Sequence, residues 1–66
     1  MSAPLNDREK EIIAAMADGL TAKEISRKIG VAPHTIHELV RYAKGKTDTK
    51  NGTGLVAKAI REGWIQ

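Results

Sequence analysis

The chain has 66 residues, a formal net charge of +3 and no cysteine. That length makes one domain near the lower limit for independent folding. Without cysteine, neither a disulfide nor a thiolate metal site is available to staple it. The core must then come from Ile, Leu, Val and Ala, because there is no Phe, one Tyr and one Trp. No apolar run approaches the roughly 20 residues that span a bilayer. The start, MSAPLNDREK, has no hydrophobic segment of the signal-peptide kind, which gives a cytoplasmic protein as the expected location.

The first helix is expected over 6–18. Asn6 and Glu9 make a cap-plus-acid pair at its start. Ile12, Ile13, Met16 and Ala17 form its buried face, and Gly19 ends it. Asp7, Glu9 and Glu11 read as solvated acids favoured by the helix dipole.

A second helix begins after Thr21, whose hydroxyl and the Glu24 carboxylate can satisfy each other's backbone amides. Ala22, Ile25 and Ile29 give a one-sided apolar stripe, Gly30 suits a left-handed cap, and Val31 returns to the core. Pro33 then opens a third helix at the position where a missing N–H costs nothing. Ala32 before it is a poor cap. Ile36, Leu39, Val40 and Ala43 share one face. His34, His37, Glu38 and Arg41 lie opposite, with Thr35, Tyr42 and Lys44 on the flanks. Gly45 lowers helix propensity near the end by about 1 kcal/mol, so the helix is expected over about 33–44, with fraying at 44–48.

Two short helices joined by a tight turn over about 21–46, the second with a polar outer face, form a helix-turn-helix arrangement. Charge supports it. Residues 1–32 carry five basic and five acidic side chains, whereas 33–50 carry Arg41, Lys44, Lys46 and Lys50 against Glu38 and Asp48. The basic excess therefore starts at the second helix of the motif. It suits a phosphate backbone, and equally a solvated basic turn.

Residues 47–54 form a polar linker. Thr53 can cap a last helix over about 54–62, closed by Gly63. Leu55 and Ala59 face the core there. Val56 and Ile60 are left at the surface, as a candidate dimer contact. Trp64 reads as a lid on the core.

The residues in this order resemble a free-standing LuxR-type (GerE-type) helix-turn-helix domain. The resemblance runs without a gap from Leu5 to Ile65. It rests on Leu5, Asn6, Arg8-Glu9 and Ile12-Ile13, then Gly19, Thr21 and Lys23-Glu24-Ile25. Thr35-Ile36 opens the recognition helix, and Lys46, Asn51, Thr53, Ala59, Gly63 and Ile65 complete the pattern. The chain departs from it at Ala32, His37, Leu39, Ala43, Thr47 and Gly52. The resemblance implies an all-α domain of four helices. The third would be the recognition helix, and the fourth often mediates dimerisation. It also implies a sensory domain preceding this one in most members. None is visible in these 66 residues, which reads as a constitutive binder, a co-regulator or a fragment.

On this reading Lys23, Thr35, Lys44 and Lys46 hold DNA phosphates and His34, His37, Glu38 and Arg41 face bases. For Lys23 the alternative is a surface lysine, and for Arg41 a helical ion pair with Glu38. His34 and His37 lie three apart, but a structural zinc needs four ligands and no third is evident. No cofactor fingerprint, nucleophile triad or paired buried carboxylates mark an enzyme. Two functions remain. The first is a DNA-binding transcriptional regulator acting on double-stranded DNA as a weak homodimer. The second is an adaptor that occupies a partner transcription regulator, favoured by the Val56/Ile60 face and the acidic Glu38.

Overall fold

The computed structural model describes residues 4–66, so the first three residues of the start MSAPLNDREK, on which the expected location rests, lie outside the described residues. Four helices follow one another: α1 (Asp7–Ala17), α2 (Ala22–Ile29), α3 (Pro33–Thr47) and α4 (Gly52–Arg61). No strand occurs among the described residues.

The starts of the first three helices follow local chemistry. Asn6 accepts from the Glu9 amide at 2.8 Å, and Glu9 Oε1 accepts from the Asn6 amide at 2.9 Å. Thr21 and Glu24 close a second box of the same kind, at 3.2 and 2.8 Å. Pro33 stands in the first turn of α3 after Ala32, which gives no side-chain cap. Helix α4 differs from the expectation. Asn51, not Thr53, is its cap, accepting from the Gly54 amide at 2.8 Å, and the helix starts two residues early.

The ends repeat one device. After α1 and α4, Gly19 and Gly63 take left-handed backbone. The next amide reaches back five residues in each case, Leu20 to Ala15 at 3.1 Å and Trp64 to Ala59 at 2.8 Å. This is the Schellman ending, which satisfies carbonyls left over by the last turn. Helix α3 ends the same way on Asp48, at φ 55°, with the Thr49 amide bonded to the Lys44 carbonyl at 3.0 Å. The expected fraying at 44–48 is therefore replaced by regular helix to Thr47. The buried Thr47 hydroxyl donates to the Ala43 carbonyl at 2.8 Å, and Lys58 Nζ donates to the Thr47 carbonyl at 2.7 Å. A cation at the negative end of a helix suits its dipole.

Two apolar clusters build the core, and α1 serves both. Its neighbours Ile13 and Ile12, about 100° apart on the helix, point into different clusters. Ile13 joins Leu5, Ala43, Leu55, Ala59 and Ile65, with Val56 and Trp64 packed on them. Ile12 joins Ala15, Ile25 and Ile36, with Met16, Ile29, Val31 and Leu39 against them. Val40 of α3 touches both clusters. Two expectations for buried faces change here. Ala17 is exposed and Ala15 takes its place, and Val56 is half-buried on its own core. Glu9, read as a solvated acid, is 1 % exposed. Its place in the capping box turns it inward, where Lys46 meets it.

Candidate nucleic-acid interface

The α2–turn–α3 unit is held by packing that leaves one long face of α3 free. Ile25 and Ile36 are both 1 % exposed and meet in one cluster. Gly30, at φ 71°, turns the chain between the helices, and its amide bonds to the Ser26 carbonyl at 2.9 Å. A side chain in that conformation would be strained. The turn therefore sets the angle at which α3 leaves α2.

On α3, burying Ile36 and Ala43 orients everything else. His34, His37, Glu38 and Arg41 are all exposed on the opposite face. Thr35 and Lys44 are half-buried on its flanks, while Lys23 is exposed on the first turn of α2. The helical ion pair considered for Arg41 and Glu38 does not form; Arg8–Glu11 and Lys46–Glu9 are the ion pairs among the described residues. Arg41 and Glu38 thus keep their hydrogen-bonding capacity for a ligand. Among the described residues no group of three or more His, Cys, Asp or Glu could hold a metal.

Lys46 is placed differently from the other basic residues. Its ammonium lies 2.6 Å from Glu9 Oε1 and 5.0 Å from the centre of the Tyr42 ring. The charge is thereby paired within the protein, although the side chain keeps 28% of its exposure. Tyr42, which the sequence put on a flank, is 64 % exposed. It lines a shallow concavity of about 530 Å³ with Glu38, Arg41, Gly45 and Lys46. The 38/41/42/45 spacing on one helical face was the signal for this surface.

Away from α3, a second groove lies between the end of α1 and α4. Met16, Leu20, Val56 and Ile60 line its apolar part. Ile60 is 53 % exposed. No helix among the described residues is long and apolar enough to cross a membrane.

Two curated proteins are similar over nearly the whole chain. The transcriptional regulatory protein DesR of Bacillus subtilis (strain 168) is 30% identical over 63 residues, covering 96% of this chain and 32% of that protein. The transcriptional regulatory protein UhpA of Escherichia coli (strain K12) is 31% identical over 61 residues, 92% of this chain and 31% of that protein. The chain thus spans about a third of the length of these relatives. Residues 3–59 match the GerE family model, described as bacterial regulatory proteins, luxR family. The four-helix architecture, the capping boxes and the α2–turn–α3 unit agree with that match, and the chain belongs to the luxR family of bacterial regulatory proteins, a family of regulators and not of enzymes.

Proposed function

We propose that this chain is a DNA-binding transcription regulator, or the DNA-binding part of one, that lays α3 in the major groove. Its family and its likeness to two transcriptional regulatory proteins support the coarse reading. The observation that carries the finer one is the exposed, unpaired set His34, His37, Glu38 and Arg41 on a helix anchored by its other face. Arg41 has the reach and planar fork to bond guanine O6 and N7. Glu38 accepts from cytosine N4 or orients Arg41. Lys23, at the start of α2, Thr35 and Lys44 bind phosphates and set register. Lys46 belongs to the same group, with its ammonium shared with Glu9. The protein works in the cytoplasm on double-stranded DNA.

Two copies bind together as a weak homodimer. Ile60, with the edge of Val56, supplies an apolar contact on α4. The same exposed Ile60 supports a second reading, an adaptor that occupies a partner transcription regulator. Titration with random duplex DNA at two salt concentrations separates the two. A DNA binder loses affinity steeply with salt, by a slope of about 0.9 per phosphate neutralised. Absence of binding at both salt concentrations overturns the DNA reading and leaves the adaptor.

A further inference from the structure

Gly45 has no structural reason to be glycine. It lies within α3, where glycine weakens a helix. It is not among the residues with positive φ, so its backbone suits any side chain. A Cβ built there meets nothing within 4 Å, so packing does not demand a bare position. Its missing side chain does keep a notch open on the exposed face of α3. Arg41 and Tyr42 stand about one turn before it, with the Lys46 stem beside it.

The Tyr42 ring walls the notch. Lys46 Nζ lies 5.0 Å from the Tyr42 ring centre and is itself tied to the buried Glu9 at 2.6 Å. The ring thereby rests beside an ammonium anchored to α1 while 64 % of the residue stays exposed. A tyrosine so held offers an apolar ring face and a neutral hydrogen-bond donor together.

We propose that this notch seats one sugar–phosphate strand of duplex DNA, with a deoxyribose against Gly45 and the Tyr42 ring and its phosphate accepting from the Tyr42 hydroxyl. The proposal rests on the DNA-binding reading above. Position and charge select this occupant. Base contacts come from the N-terminal part of a recognition helix, so its later turns meet the strand that walls the groove. Beyond Arg41, Lys44 and Lys50 outnumber Asp48, so this end of the motif is basic. Glu38 lines the same concavity one turn before Tyr42, whereas the Gly45 end, where the deoxyribose sits, is seven residues and about 10 Å further along the axis.

The test uses the 66-residue protein, one selected duplex and one random duplex, each at two salt concentrations. Gly45→Leu is expected to melt at or above the wild-type temperature yet bind both duplexes at least about tenfold more weakly, because the added side chain fills the notch. Tyr42→Phe is expected to bind both roughly tenfold more weakly, the loss typical of a hydrogen bond to a charged acceptor. Its salt slope should stay unchanged, since the phenol carries no charge. A scan of single neutral methylphosphonates along the duplex should find one position that weakens wild type and not Tyr42→Phe. Wild-type affinity in Gly45→Leu, or in Tyr42→Phe, overturns the proposal while leaving DNA binding intact. A loss confined to the selected duplex and mimicked by a thymine-to-uracil change means the notch meets a base, and also overturns it. Failure of the wild-type protein to bind either duplex removes the DNA reading itself.

Discussion

Lys46 Nζ of α3 lies 2.6 Å from Glu9 Oε1 of α1, across 37 residues of sequence. The same oxygen closes the Asn6–Glu9 capping box, so one carboxylate caps α1 and anchors the last turn of α3. Oε2 of Glu9 is buried with no hydrogen-bond partner among the described residues. The side chain of Glu9 is 0% exposed and that of Lys46 28%.

That asymmetry sets the first prediction. Lys46→Met leaves a buried carboxylate without its cation, which costs about 3 kcal/mol, the lower end for breaking a buried pair. So small a domain loses most of its stability by that change. Glu9→Gln costs less, because glutamine also serves in a capping box and Lys46 already reaches water. Combining the two should restore part of the loss. Urea unfolding of the three variants measures this, and wild-type stability in Lys46→Met contradicts it.

The pair also shows where reading the sequence stops. Asn6, Thr21, Gly30 and Pro33 were legible because a cap or a turn is decided within four residues. Glu9 was not: an acid at the third helical position looks alike whether it faces water or a lysine 37 residues on. Asn51 and Thr53 are both good caps two residues apart, and only packing of α4 on α1 chooses Asn51. An ideal Cβ at Gly52 would lie 3.1 Å from Met16 Cε, which shows how closely the first turn of α4 approaches α1. Asp48 was missed as a helix end because glycine is the usual signal. The outer face of α3 was legible from its 3.6-residue period. What that face binds is not encoded in intramolecular packing, so the roles of His34, His37, Glu38 and Arg41 rest on family and chemistry.

The second prediction separates reading from holding. Arg41→Ala should cost about 1–3 kcal/mol on a selected site and relax the preference at one base pair. Lys44→Ala should weaken all duplexes alike and reduce the salt slope by about one. Selection of bound sequences from a random pool, repeated with both variants, reads the two effects. Unchanged specificity in Arg41→Ala would move the reading face elsewhere.

The third concerns acid. The Glu24 carboxyl is held below the usual glutamate range, first by the Thr21 amide and then by the Thr21 hydroxyl, against an opposing effect of burial, with Arg27 adding the least. A carboxyl whose pKa is lower folded than unfolded contributes stability that is complete above its unfolded value. That contribution is lost as pH falls through the folded value. Wild type should therefore be more stable than Glu24→Gln near neutrality, with the gap closing below the usual glutamate range. Thermal melts across that window decide it, and a gap that stays constant into acid contradicts the assignment.

The fourth concerns assembly through α4. Leu55 and Ala59 are 0% exposed and belong to the core, Val56 is half-buried against it, and Ile60 is 53 % exposed. These burials rank the three faces of one helix. Ile60→Glu should leave helicity intact, since isoleucine and glutamate differ little in helix propensity and no core contact is lost. It should also abolish self-association, because an isologous contact would set the new charge against its own copy. Val56→Glu, by contrast, should lower the melting temperature, because it buries part of a charge in the core. One helix pair covers little area, so the wild-type dimer should be weak free in solution. Two half-sites on one duplex raise the effective concentration of the second copy and should favour the dimer there. Sedimentation across a concentration series, with and without duplex, reads both states. Wild type that stays monomeric at millimolar concentration and on DNA removes the dimer. Loss of helicity in Ile60→Glu would instead place Ile60 among the groups that hold α4 to the domain.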